Sequence, residues 1–239
     1  MTTNAPPVHT LRGLRRLGAA SLAGAVAGLV VGGIGGRLAM LLLRLTSDAT
    51  LHGLKTDDGF TIGIVSGDTG FLLTLTLILG AAGGAVYLGI RSLIPERARP
   101  WVAAALGGTI GGAGILRPGG IDFTLLEPLP LAVIFFVAIP ALGAAATSVV
   151  AERFLARGSS STRNRWLLGL APLVVIGAIG PTALVVVAVV LLLAITQPRL
   201  SEFGAIWASE PATWIGRGAL GLVGAFASIQ LVQDVIEIL

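Results

Sequence analysis

Apolar residues fill this chain in long blocks, and polar residues are confined to the short stretches between them. Six blocks stand out, at roughly 17–45, 70–94, 101–116, 129–150, 166–195 and 214–239. A helix needs about 20 apolar residues to cross about 30 Å of hydrocarbon. The pattern therefore predicts an all-α, polytopic bundle of six spanning helices over 17–239, behind a polar tail at 1–16. The third block, 101–116, is short enough to suggest a re-entrant segment, so the flanking charges have to decide.

Those charges alternate by loop. Arg12, Arg15 and Arg16 precede the first block, Arg91, Arg97 and Arg99 follow the second, and Arg153, Arg157, Arg163 and Arg165 follow the fourth. The other loops hold only Lys55, Arg117 and Arg199 against Asp48, Asp57, Asp58, Asp68, Asp122, Glu127, Glu202 and Glu210. Basic loops stay cytoplasmic, so the expectation is a plasma-membrane protein with both termini inside and a spanning third segment. Trp101, Trp166 and Trp214 each open a block, where the indole favours the headgroup level. Pro140, Pro172 and Pro181 predict kinks or tilt in the fourth and fifth helices. A basic start before a small-residue run imitates a signal peptide, but the first block far exceeds the 7–15 residues of such a region.

Within the first block glycine recurs at Gly24, Gly28, Gly32 and Gly36, a glycine zipper. Small residues four apart let helix backbones approach closely in lipid. Arg37 interrupts this apolar run, and Arg44 follows one heptad later. At about 100° per residue the two arginines share a face away from the glycines. An arginine at that depth needs a carboxylate, phosphate or carbonyl partner, or must snorkel to the surface. The nearby charged residues define a candidate outer polar site: Arg37, Arg44, Asp57, Asp58, Asp68, Arg117, Asp122, Glu127 and Arg217. It reads either as a vestibule for an anionic solute or lipid headgroup, or as ion pairs clamping the outer loops. His52 in the same region reads as a solvated loop residue.

Composition supports the membrane assignment and removes several functions. The chain is 54% hydrophobic and 12% charged, with a mean hydropathy of +0.92, against about 25% charged in soluble domains. The arginines alternate by loop and do not gather on one face, so the basic balance does not imply nucleic acid. There is no cysteine, hence no disulfide or thiolate site. Asp68-Thr69-Gly70 spells a protease triplet without a second copy, and no HExxH, GxSxG or phosphate-binding loop occurs. No catalytic residue, metal or cofactor is expected.

Gln230, Gln233, Asp234 and Glu237 form one polar stripe at helical spacing, read as a partner-docking face or as a helix end entering cytoplasmic water. The loop 158–165 divides the chain into two three-helix halves. Ala-Leu-Gly at Ala105–Gly107 and Ala219–Gly221 would fit an inverted repeat.

The run GRLAM at Gly36–Met40, the loop LTSDATLHGLKTDDGFTIG at Leu45–Gly63 and GIDFTLLEP at Gly120–Pro128 resemble small multi-pass membrane proteins of actinobacteria. That resemblance covers about the first 130 residues, implies no catalytic residue and directs attention to the outer face. Two functions follow. One is a small transporter, channel or lipid-handling protein with Arg37 in its vestibule. The other is a scaffold or accessory subunit that packs against a membrane-protein partner, or its own copy, through glycine faces.

Overall fold

The computed structural model describes residues 8–48, 67–124, 128–156, 165–179 and 210–239, with backbone alone at 8–12, 67–68, 121–122 and 176–179. The described residues are helical, with no strand. α1 is continuous through Val8–Ala27, a π-helical stretch Gly28–Gly35, and Gly36–Thr46. Backbone angles at both junctions stay in the right-handed helical region, φ −63°, ψ −43° at Ala27 and φ −60°, ψ −42° at Gly35. The helix stops at Ser47, where ψ swings to 160°. α2 spans Gly67–Ile90, α3 Arg99–Ile115, α4 Leu129–Ala156, α5 Trp166–Ile179 and α6 Glu210–Ile238. Short 3-10 turns at Arg91–Leu93 and Glu96–Ala98, on either side of Pro95, link α2 to α3. A single turn, Ile121–Thr124, lies between α3 and α4.

Four helices are long and apolar enough to cross a membrane: Gly13–Thr46, Thr69–Leu93, Leu129–Ala156 and Glu210–Ile238. Their apolar side chains face outward, with Phe71, Leu79, Leu142, Ile215, Leu222, Phe226 and Ile236 all at least 60% exposed. Water would penalise this at about 25 cal/mol per Å² of apolar surface. Hydrocarbon does not, and the surface is that of an integral membrane protein. α3, at 17 residues, is about 25 Å long by its rise per residue. It starts beside the Arg91–Leu93 turn and ends with Leu116 in the cluster around Leu43.

Two core clusters mark the ends. At one, Leu17 and Ala20 of α1 pack with Ala85 and Leu88 of α2 and Leu173 of α5. At the other, Leu43 of α1 packs with Leu116 at the end of α3, Ala132 and Val133 of α4, Phe123 and Ile238 of α6. α1 thus stands centrally, touching α2, α4 and α5. Its most extensive contact is with α2. A Cβ added at Gly24 or Gly28 would come within 3.0 Å of backbone atoms of Thr76, Gly80 or Gly84, and one at Gly80 or Gly84 would meet the α1 backbone as closely. Between α3 and α4, Pro140 takes the place expected of a kink and seats its ring on Gly111, with Cβ and Cγ at 2.5 and 3.1 Å from where a Gly111 Cβ would stand.

α6 departs from expectation. Gly216 lies against Leu93, Gly224 against Leu106 and Gly112 of α3 against Leu231. The two helices rise together, so they are parallel, and Ile238 ends among Leu43 and Leu116. The N-terminal end of α1 and the C-terminus therefore lie at opposite ends of the bundle. This arrangement gives no support to the expectation of both termini on one side, and the path of six crossings runs through residues 180–209, which lie outside the described residues. The run 166–195 was the weak point, because 30 residues exceed what one crossing needs. Of that run, residues 180–195 lie outside the described residues.

Candidate functional site

Eight arginines gather at the end marked by Leu17 and Leu88: Arg15, Arg16, Arg91, Arg97, Arg99, Arg153, Arg165 and Arg217, with Glu96, Glu152 and Glu210 as the acids among the described residues. Within this basic end Glu152 is a hub. Its Oε1 accepts hydrogen bonds from Tyr87 Oη at 2.7 Å and Arg91 Nε at 2.9 Å, and its Oε2 from Arg91 Nη2 at 2.8 Å and Arg99 Nη1 at 3.1 Å. Arg91 grips the carboxylate with two nitrogens, the planar fork that arginine alone supplies. Arg99 also reaches Glu96 at 3.4 Å and the Arg91 carbonyl at 3.3 Å. One carboxylate thereby ties the end of α2, the start of α3 and the last turns of α4.

Local spacing builds the hub. Tyr87 and Arg91 stand four apart, as do Ser148 and Glu152, so each pair shares a helix face. Ala23 of α1 and Ala151 of α4 close over Tyr87 from the apolar side. Ser21 and Ser148 are fully buried; among the described residues the Ser21 hydroxyl has no hydrogen-bond partner, whereas Ser148 faces the Tyr87 hydroxyl. As small side chains they admit close helix contact, and an orphan hydroxyl at Ser21 carries a cost of about 1–3 kcal/mol. The arginine side chains are 25% and 12% exposed and Glu152 29%, so their desolvation is partial. Glu152→Gln, which keeps the shape and removes the charge, is expected to cost about 2 kcal/mol, since it leaves two guanidiniums facing each other. Tyr87→Phe is expected to cost about 1 kcal/mol. Thermal unfolding of the purified protein in detergent checks both, and equal midpoints for Glu152→Gln and the parent would show the hub to be idle.

The residues expected to form an outer polar site are scattered. Arg37 is half-buried, with Nε and Nη2 enclosed and Nη1 3.9 Å from Met40 Sδ. Gly28 pairs with Thr76 and Gly33 with Leu73, so Arg37, one turn on, lies level with the first turn of α2, which contains Asp68. Arg44 is half-buried one heptad further. Arg117 is exposed just beyond α3, and its carbonyl accepts from Gly120 N at 2.8 Å. Asp122 falls in the turn Ile121–Thr124, at the same end. Asp57, Asp58, His52 and Glu127 lie outside the described residues. Arg217 does not belong with the rest. Its Nε donates to the Leu93 carbonyl at 2.8 Å, at the basic end, so its place in the outer layer is corrected.

The glycine face shifts as well. Gly24 and Gly28 meet α2 backbone, a Cβ at Gly32 would stand 3.3 Å from the Thr76 side chain, and one at Gly33 closer still to Leu73 and Thr76. A Cβ at Gly36 would meet nothing within 4 Å. The cause is the π-helical stretch, whose i→i+5 bonds put more residues in each turn. Every residue beyond it is rotated relative to a uniform 100° wheel, Arg37 included. The stripe Gln230, Gln233, Asp234 and Glu237 also moves, to the end opposite the arginines, where Gln230, Gln233 and Glu237 are exposed and Asp234 is half-buried. The expected cytoplasmic placement of that stripe rests on the crossing count and finds no support in this arrangement.

Glu152 and Tyr87 escaped the sequence reading. Glu152 lies just past the apolar block 129–150, on turns that the block does not predict as helix. The available signal was the chain's one tyrosine four residues before an arginine, opposite a serine four before a glutamate. No family model, curated protein or solved structure matches the chain.

Proposed function

We propose that this is a plasma-membrane protein, basic end in the cytoplasm, that binds an anionic solute or lipid headgroup at its outer end through Arg37, as a small transporter or lipid-handling protein. The observation that supports this is the burial of the Arg37 guanidinium within an apolar span, directly after an eight-residue π-helical stretch. Ionisable groups at such depth, and π-helical turns, both concentrate at functional sites. The first turn of α2, level with Arg37, adds the positive end of a helix. Similarity of the Gly36–Met40 and Gly120–Pro128 stretches to small actinobacterial membrane proteins directs attention to the same end.

The test is transport in proteoliposomes, with inorganic phosphate uptake and transbilayer exchange of fluorescent phosphatidylglycerol as the two probes. Arg37→Leu is expected to lower one of them about tenfold or more, as loss of a charge-assisted contact would, with a thermal midpoint near the parent's. A clamp predicts the reverse: a lower midpoint, and transport unchanged in the variant that folds.

A second reading, a scaffold or accessory subunit, rests on a different observation. Gly28 and Gly32 face α2 of the same chain, so a partner would use other surface. α6 packs mainly on α3, and its exposed Gly218 and Gly221 meet nothing within 4 Å. On this reading Gly221→Leu breaks a complex isolated from native membranes, and Arg37→Leu leaves it intact.

A further inference from the structure

We propose that Arg217, at the seam of α3 and α6 on the basic end, holds the phosphate of an anionic phospholipid. The site is independent of the outer-end reading and lies at the opposite end of the bundle.

The guanidinium is fixed before any ligand arrives. Nε donates to the Leu93 carbonyl at 2.8 Å, and the group lies over the Trp214 ring at 5.5 Å from its centroid. That spends one donor and two of the side chain's freedoms. Nη1 and Nη2 make no hydrogen bond among the described residues, and the side chain is exposed. Fork geometry suits two oxygens of one phosphate, and prior ordering reduces the entropy lost on binding. No carboxylate competes, since the ion pairs of this end among the described residues all involve Arg91 or Arg99.

Depth selects the ligand. Trp214 is 67% exposed and opens an apolar helix, so it marks the headgroup level. Deeper along the same face of α6, Gly221 is exposed and a Cβ there would meet nothing within 4 Å among the described residues. This leaves room for an acyl chain beneath the fork, between Leu222 at 74% exposure and the flank of α3. The surroundings favour net negative charge over a zwitterion, because eight arginines face three glutamates at this end among the described residues. A soluble phosphate shares the recognition chemistry but would gain nothing from the apolar wall.

Native mass spectrometry of the full chain in mild detergent tests the proposal, with titrations of phosphatidylglycerol and phosphatidylcholine. Arg217→Leu is expected to weaken the first phosphatidylglycerol bound about tenfold or more. Arg153→Leu, an exposed arginine of the same end, is expected to leave it within about twofold, as screened surface charge allows. Arg217→Lys keeps the charge without the fork, and is expected to lose severalfold even where the leucine variant fails to fold. Phosphatidylcholine should bind all variants alike, and millimolar inorganic phosphate should not displace the lipid. Equal losses at Arg153 and Arg217, no loss at either, or displacement by inorganic phosphate would each overturn the proposal.

Discussion

Adding one methyl group at Gly24 is expected to destabilise the bundle by about 2–3 kcal/mol, whereas the same change at Gly36 leaves it as stable or slightly more so. Outside tight contacts, Gly→Ala in a helix gains up to about 1 kcal/mol, because alanine loses less backbone entropy. At Gly24 that gain is overwhelmed. The new Cβ would stand under 3.0 Å from backbone atoms of Gly80 and Gly84, and backbone cannot rotate away as a side chain can. The two helices must separate, which forfeits dispersion contacts along several turns and costs at the upper end of the overpacking range. A Cβ at Gly36 would meet nothing within 4 Å among the described residues. Thermal unfolding of both alanine variants in one detergent decides the matter, and two equal midpoints would mean that α1 and α2 do not touch as described.

A reporter at the C-terminus is expected to give an all-or-none result. Alkaline phosphatase fused after Leu239 should be active, and the same enzyme fused at Ser160 should be inactive. The reasoning joins two facts. Basic ends are retained in the cytoplasm, and eight arginines mark the end where α6 begins. α6 then rises beside α3 and finishes with Ile238 against Leu43, Leu116 and Val133. From Trp214 to Asp234 is 20 residues, about 30 Å of helix, which matches the hydrocarbon thickness. The polar stripe from Gln233 to Glu237 thus meets the far interface. An inactive fusion at Leu239 would restore the arrangement with both termini inside and would reverse α6.

Much of the architecture is legible from residue order. The boundaries of α1, α2, α3, α4 and α6 fall within a few residues of the apolar blocks, apart from the first turns of α1 and the last turns of α4. Hydropathy over 20 residues is a property of a segment in isolation, and lipid demands that each segment satisfy its own backbone. The site was less legible, for reasons visible in particular residues. A wheel drawn at constant pitch puts Gly36 on the contact face and Arg37 away from it. The π-helical turns of Gly28–Gly35 break that regularity, and nothing in GLVVGGIG announces the change beyond its four glycines. Glu152 meets Arg91 and Arg99 from 61 and 53 residues away. Such a meeting depends on which helices adjoin, which no local spacing records.

Taken alone, the sequence determined that this protein is helical, apolar and sorted by charge into a basic and an acidic end, because length, hydropathy and loop charge act segment by segment. The tertiary structure decided how those segments pair: that α1 and α2 touch backbone to backbone, that Glu152 closes three elements together, and that Arg217 and the start of α6 join the basic end. Pairing is settled by packing between remote surfaces. In a bundle where almost every surface is equally apolar, the few glycines and charges that discriminate among partners act only once the helices are side by side.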